Sequence, residues 1–147
     1  MKKQNLTKYI MDNNIETITN WLQKNTFLPY MNFNEEIKLA ASYGRFTILK
    51  LLLNHPNIDP RNENNDIMFA FIKEDNLEAF KLLFEDPRMK NNLYLEDAVR
   101  KSFIHSSDKI FEYLSSMEKI KESIKKSSPK AYKAIMIRHI ELKVNHF

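Results

Sequence analysis

The sequence predicts an all-α repeat fold, and three observations carry the prediction. A stretch of small and apolar residues beginning at Leu39 breaks at Gly44 and resumes as an amphipathic run through Leu51-Leu52-Leu53, closed by Pro56. A diluted copy, Ala70 to Pro87, follows 31 residues later with its proline in the same register. In both copies the apolar residues recur at spacings of three and four, the period of one helical stripe. One glycine and five prolines leave little room for flexible linkers or tight β-turns.

Extending the register in both directions places inter-helix junctions at Asn13, Gly44, Asp75 and Ser106, residue types that tolerate a turn. The second helix of each unit then reads Ile15, Ile18, Trp21, Leu22; Phe46, Leu49, Leu52, Leu53; Leu77, Phe80, Leu83, Phe84; and, more weakly, Asp108, Phe111, Leu114, Ser115. The first helices open near Glu35, Asp66 and Asp97, where an acid suits the helix dipole. Asp66 and Asp97 are expected as caps, with Asn34 taking that role before Glu35.

These residues carry a family resemblance. Leu39-Ala40-Ala41 with Gly44 and Ile48-Leu49-Lys50-Leu51-Leu52-Leu53 resembles the core of an ankyrin repeat, and Asp75-Asn76-Leu77-Glu78 with Lys81-Leu82-Leu83 looks like the same motif in degenerate form. The resemblance covers about residues 5 to 117. It implies one ankyrin-like solenoid domain over 1–147, with repeats near 5–33, 34–64, 65–95 and 96–117 and C-terminal capping helices over 118–147. The period departs from the family's usual ~33 residues. The T-P-L-H box is replaced by Glu35-Glu36-Ile37-Lys38 and Asp66-Ile67-Met68-Phe69. Short first helices and the Pro56-Asn57-Ile58-Asp59-Pro60 linker argue against tetratricopeptide repeats, whose units run ~34 residues.

Residues 1–27 read as the N-terminal cap, polar on its first helix as a terminal repeat requires. Trp21 shares the register of Leu52 and Leu83 and is therefore assigned to the core rather than to recognition. Residues 28–35, 56–66 and 87–97 read as surface connections, with Ile58 and Met89 tucked under the helices. Beyond 116, Met117 to Lys126 has the spacing of a short amphipathic helix. Ser128-Pro129 starts another, with serine as cap and proline at the first helical position. This last helix is expected to turn Tyr132, Ile135, Met136, Ile140 and either Val144 or Leu142 inward.

Charge is unevenly spread. Residues 1–100 hold 13 Lys or Arg against 14 Asp or Glu, while residues 101–147 hold 10 against 5, so the net excess of +4 lies in the final third. A basic surface can bind phosphate backbones. Here lysines dominate without an arginine cluster or an aromatic–basic pattern, which fits a solvated polar face better than nucleic acid. Catalysis finds no support: His55, His105, His139 and His146 lack metal-ligand spacing, no glycine loop cradles phosphate, and no nucleophile motif is present. No cofactor and no metal are expected. Absence of cysteine excludes thiolate chemistry. No apolar run reaches the ~20 residues of a membrane span, and the N-terminus lacks a signal-peptide apolar region, so a cytoplasmic location is expected. The density of Asn, Lys and Ile fits an AT-rich genome, such as a large DNA virus, an amoeba or an intracellular bacterium, with the host cytosol as the site of action if the protein is an effector.

Recognition remains. The resemblance implies docking on the inter-repeat fingers and on the exposed face of the first helices. Position by position, the finger residues are Met31, Asn32, Asn62, Glu63, Leu93 and Tyr94. The helix residues before each junction are Met11 and Asp12, Ser42 and Tyr43, Lys73 and Glu74, Ile104 and His105. Tyr43 and Tyr94 stand out, since aromatic anchors dominate interface energetics. Leu93 and Ile104 can equally pack against the fourth unit's second helix. The expected function is a non-enzymatic protein–protein interaction module: an adaptor, scaffold or competitive blocker. The alternatives are a nucleic-acid-associated protein using Lys121, Lys125 and Lys126, or a self-associating structural subunit.

Overall fold

The computed structural model describes residues 5–25, 32–61, 65–89 and 95–145. Among these residues the protein is all-α, with ten α-helices, a 3-10 turn at Pro87–Met89 and no strand. Eight helices succeed one another as four helix–turn–helix segments: α1 (Leu6–Met11) and α2 (Ile15–Lys24), α3 (Asn34–Ser42) and α4 (Phe46–Asn54), α5 (Asp66–Lys73) and α6 (Leu77–Phe84), α7 (Leu95–Ile104) and α8 (Asp108–Ser115). The first helices end, and the second helices begin, at steps of 31 residues throughout.

The turns account for that register. Asn13, Gly44, Asp75 and Ser106 all take left-handed φ angles, between +48° and +64°. The amides of Asn13, Gly44 and Ser106 donate to the carbonyls of Ile10, Ala41 and Phe103; the amides one residue further on donate to Tyr9, Ala40 and Ser102. This is the Schellman ending, which satisfies the last carbonyls of a helix by reversing the chain at one residue. Asp75 makes the first of the two bonds, to Ile72. A side chain in this conformation costs about 1–2 kcal/mol in general; Gly44 avoids the cost, and Asn13 and Asp75 are among the residue types that bear it best.

By its internal contacts the chain divides into two compact units, Met1–Phe71 with Glu78–Lys90, and Ile72–Leu77 with Asn91–Phe147. In the first unit, α1 packs on α2 and α3, and α4 on α2 and α3. Leu6, Ile10, Ile18, Ile37, Ile48, Leu49 and Leu52 are fully enclosed between them, each worth about 1.5–3 kcal/mol of burial. Trp21 is buried with its ring centroid 6.0 Å from that of Phe33 in an edge-to-face arrangement, and Ile58 and Met89 are buried as expected. Asn34 does not cap α3: it is the first helical residue, and its amide is bound by Asn32 Oδ1 at 2.8 Å. Burial of Phe33 against Trp21 draws the chain into the helix one residue early. Glu35 and Asp97 likewise sit inside the first turns of α3 and α7, where their charge still complements the dipole, and Asp66 opens α5.

In the second unit, α9 (Glu118–Ser127) packs on α7 and α8, and α10 (Pro129–Asn145) on α8 and α9. Ile120 and Ile124 bury one side of α9, while Ser123 and Ser127 both donate to the Glu96 carboxylate of α7. Ser128 Oγ accepts from the Ala131 amide at 3.3 Å with Pro129 at the first helical position. The inward line of α10 differs from the expectation. Tyr132, Ile135 and Met136 are half-buried and Leu142, one of the two expected alternatives, is buried, but His139 takes the inward place expected of Ile140, and Ile140 and Val144 face solvent. Ser115 leaves a polar place beneath α10 that an isoleucine could not satisfy.

Asp75 also acts across segments. Its carboxylate accepts from the amides of Lys109 (3.2 Å) and Ile110 (3.1 Å) in the first turn of α8. The natural cap of that helix, Ser107, instead donates its hydroxyl to the Ile72 carbonyl at 2.5 Å. Asp75→Ala is expected to lower stability by about 1.5 kcal/mol, from the lost cap and from alanine at positive φ. Asp75→Gly incurs only the first loss and escapes the second, so denaturant midpoints ordered wild type, Gly, Ala check the assignment.

Candidate functional site

The Schellman turns leave the ends of the first helices at the surface, and most of the described candidates lie there. In the first unit, Arg45 donates through Nη2 to the Met11 carbonyl at 2.8 Å, which brings the exposed end of α1, Met11 and Asp12, beside the junction that carries Ser42 and Tyr43. Tyr43 is 46% exposed. In the second unit the Ser107–Ile72 bond plays the same part, bringing exposed Lys73 and Glu74 beside exposed Ile104 and His105. Ile104 is 63% exposed and so does not pack against α8. Asn32 is exposed at the start of α3. Met31, Asn62, Glu63, Leu93 and Tyr94 lie outside the described residues.

One member of this surface was not singled out from the sequence. Phe103 occupies the register of Ile10, Ala41 and Ile72, all buried, yet it is exposed, its ring tilted 5.8 Å from Phe111. Two adjacent large apolar residues, Phe103-Ile104, at a helix end are the signal.

A second missed feature is the tripeptide Asp-Pro-Arg, present at 59–61 and again at 86–88. In both, the aspartate accepts from the arginine's own backbone amide and from Nε and Nη2 of its guanidinium. Hydrogen bonding from Arg61 holds the Asp59 carboxyl below the usual carboxylate range, and Arg88 does the same for Asp86. Arg88 reaches further, donating to the carbonyls of Ile58 (2.6 Å) and Leu53. Its geometry is that of a clamp on the connection after α4.

The third is a buried polar pair. Ser115 Oγ lies 2.7 Å from His139 Nδ1, with both residues enclosed. Burial pushes the His139 pKa down, Lys143 and Lys121 push it the same way, and Glu112 opposes them. Shielded from solvent, the pair joins α8 to α10 and does not present a nucleophile. An open cleft of about 240 Å³ along α2 is lined by Thr17, Asn20, Trp21, Lys24 and Asn25, amides and one cation without an acid–base constellation. Among the described residues no group of three His, Asp or Glu is placed to hold a metal ion, and no helix is long and apolar enough to cross a membrane. Of the lysines suspected of phosphate binding, Lys121 pairs with Glu118 at 3.2 Å and Lys125 sits 6.0 Å over the Tyr132 ring. No family model, curated protein or solved structure matches the chain.

Proposed function

We propose that this chain is a non-enzymatic, ankyrin-like repeat module that binds another protein through the exposed ends of its first helices and the adjoining fingers, acting in the cytosol as an adaptor, scaffold or competitive blocker. The observation that supports this reading is the recurrence of large apolar side chains left in solvent beside the same turn: Met11, Tyr43, Phe103 and Ile104. Four turns with a left-handed residue, 31 residues apart, offer regularly placed contacts along the sequence, as repeat modules do, and aromatic anchors supply most of the energy of such interfaces.

Affinity capture from native extract tests it. The wild type is expected to retain a defined protein, and Tyr43→Ala with Ile104→Ala to weaken that complex at least tenfold with little salt dependence. Capture that is unchanged in the variant and abolished by nuclease or by moderate salt would discard this reading in favour of the lysines of the final third.

A further inference from the structure

Helix α10 is apolar on two sides. One side, with His139 and Leu142, is buried against its own unit, where α10 packs on α8 and α9. The opposite side carries Lys130, Lys133, Ile137, Ile140 and Val144 at alternating steps of three and four residues, and all five are exposed. Ile137, Ile140 and Val144 are 59%, 57% and 64% exposed. A helix with apolar residues on two faces is ordinarily enclosed by two neighbours, and the alternating spacing is that of a seam between paired helices. The seam is apolar in its C-terminal half and cationic in its N-terminal half, where the first turn of α10 contains no acid.

We propose that the outward face of α10 docks an amphipathic, acidic helix of a protein partner, its apolar residues against Ile137, Ile140 and Val144 and its carboxylates against Lys130 and Lys133. This is a different surface from the first-helix ends and does not depend on them. The excess of basic residues after position 100 complements such a partner and draws it in from a distance. A second copy of this chain fits poorly. Parallel pairing sets Lys130 and Lys133 against themselves, and antiparallel pairing centred on Ile137 and Ile140 sets Lys133 against Val144. An anionic bilayer fits poorly too: a surface-lying helix keeps its cations on the polar face, whereas these lysines occupy the seam and Glu141 borders its apolar half. The face is held ready, because Arg138 bonds Asp108 at 2.8 Å and His139 meets Ser115 on the docked side.

The test uses the full chain and a labelled synthetic helix with leucines at seam spacing in one half and glutamates in the other, beside its scrambled and Lys-for-Glu versions. Fluorescence anisotropy is expected to show binding of the glutamate helix alone. Ile137→Ser with Ile140→Ser should weaken it at least tenfold while circular dichroism stays unchanged. Lys130→Glu with Lys133→Glu should exchange preference to the lysine helix, and Tyr43→Ala should leave binding as it was. Equal binding of all three peptides, or binding of none, overturns the proposal. So does co-sedimentation with equimolar phosphatidylserine–phosphatidylcholine vesicles that Ile140→Ser abolishes, or a dimer in solution that the same substitution dissociates.

Discussion

Arg88→Ala is expected to lower the unfolding free energy by about 3 kcal/mol, a large share of the stability of a domain this size. The last carbonyls of a helix have no partner within it, and Arg88 supplies one to Leu53 at the end of α4 while its other arm holds the Ile58 carbonyl. A hydrogen bond to a charged group contributes about 1.5–3 kcal/mol; the Arg88 side chain is 31% exposed, so water replaces part of what is lost. Asp86, whose side chain is only 6% exposed, is then left without its counter-charge. Arg88→Lys keeps the charge but not the fork, and should recover less than half of the loss. Arg61 provides the control: the same tripeptide, but both partners exposed and no carbonyl gripped. Arg61→Ala should give a denaturant midpoint indistinguishable from wild type. The clamp also has a pH signature. Because the Asp86 pKa is depressed in the folded state, its contribution is present above the ordinary carboxylate value of 3.8 and is lost as pH falls through the lower folded value. Asp86→Asn should flatten that acid limb.

Ser115→Leu is expected to destabilise by about 2–3 kcal/mol, although the repeat register recommends it. The equivalent positions are Leu22, Leu53 and Phe84, and a consensus argument would restore an apolar residue at 115. In the folded protein that place is shared with His139, so leucine both overfills the space and strands a buried ring nitrogen. A double variant, Ser115→Leu with His139→Ala, should recover part of the loss; the two substitutions interact and are not additive. The pair titrates in a readable way. His139 has a folded pKa below its ordinary 6.5, so its contribution is complete above that value. It is lost as pH falls through 6.5 toward the folded value, the unfolded chain there binding more protons. The charged groups around it are Lys143 on α10, Lys121 on α9 and Glu112 on α8. In His139→Gln, equilibrium unfolding followed across that range should lose this slope; a slope that persists would assign it to another group.

The sequence by itself determined the helical class, the 31-residue register, and the four residues at which the chain reverses. All of these are local: apolar spacing defines a helical stripe, and the residues at 13, 44, 75 and 106 decide where a helix can end. The solvent-exposed position of Tyr43 was legible for the same reason, since it follows from its distance to the turn, whereas the sequence left Ile104 open between solvent and packing on the neighbouring helix. Tertiary structure decided what depends on partners distant in the chain. It chose His139 over Ile140 for the inner side of α10, because Ser115, 24 residues earlier, offers a hydrogen bond that no aliphatic side chain can take. It recruited Asp75 to cap α8 and Arg88 to clamp the end of α4, across separations of 35 residues in each case. Helical periodicity carries no record of such pairings. A buried polar group is stable only where its partner lies, and that place exists only once the helices have packed.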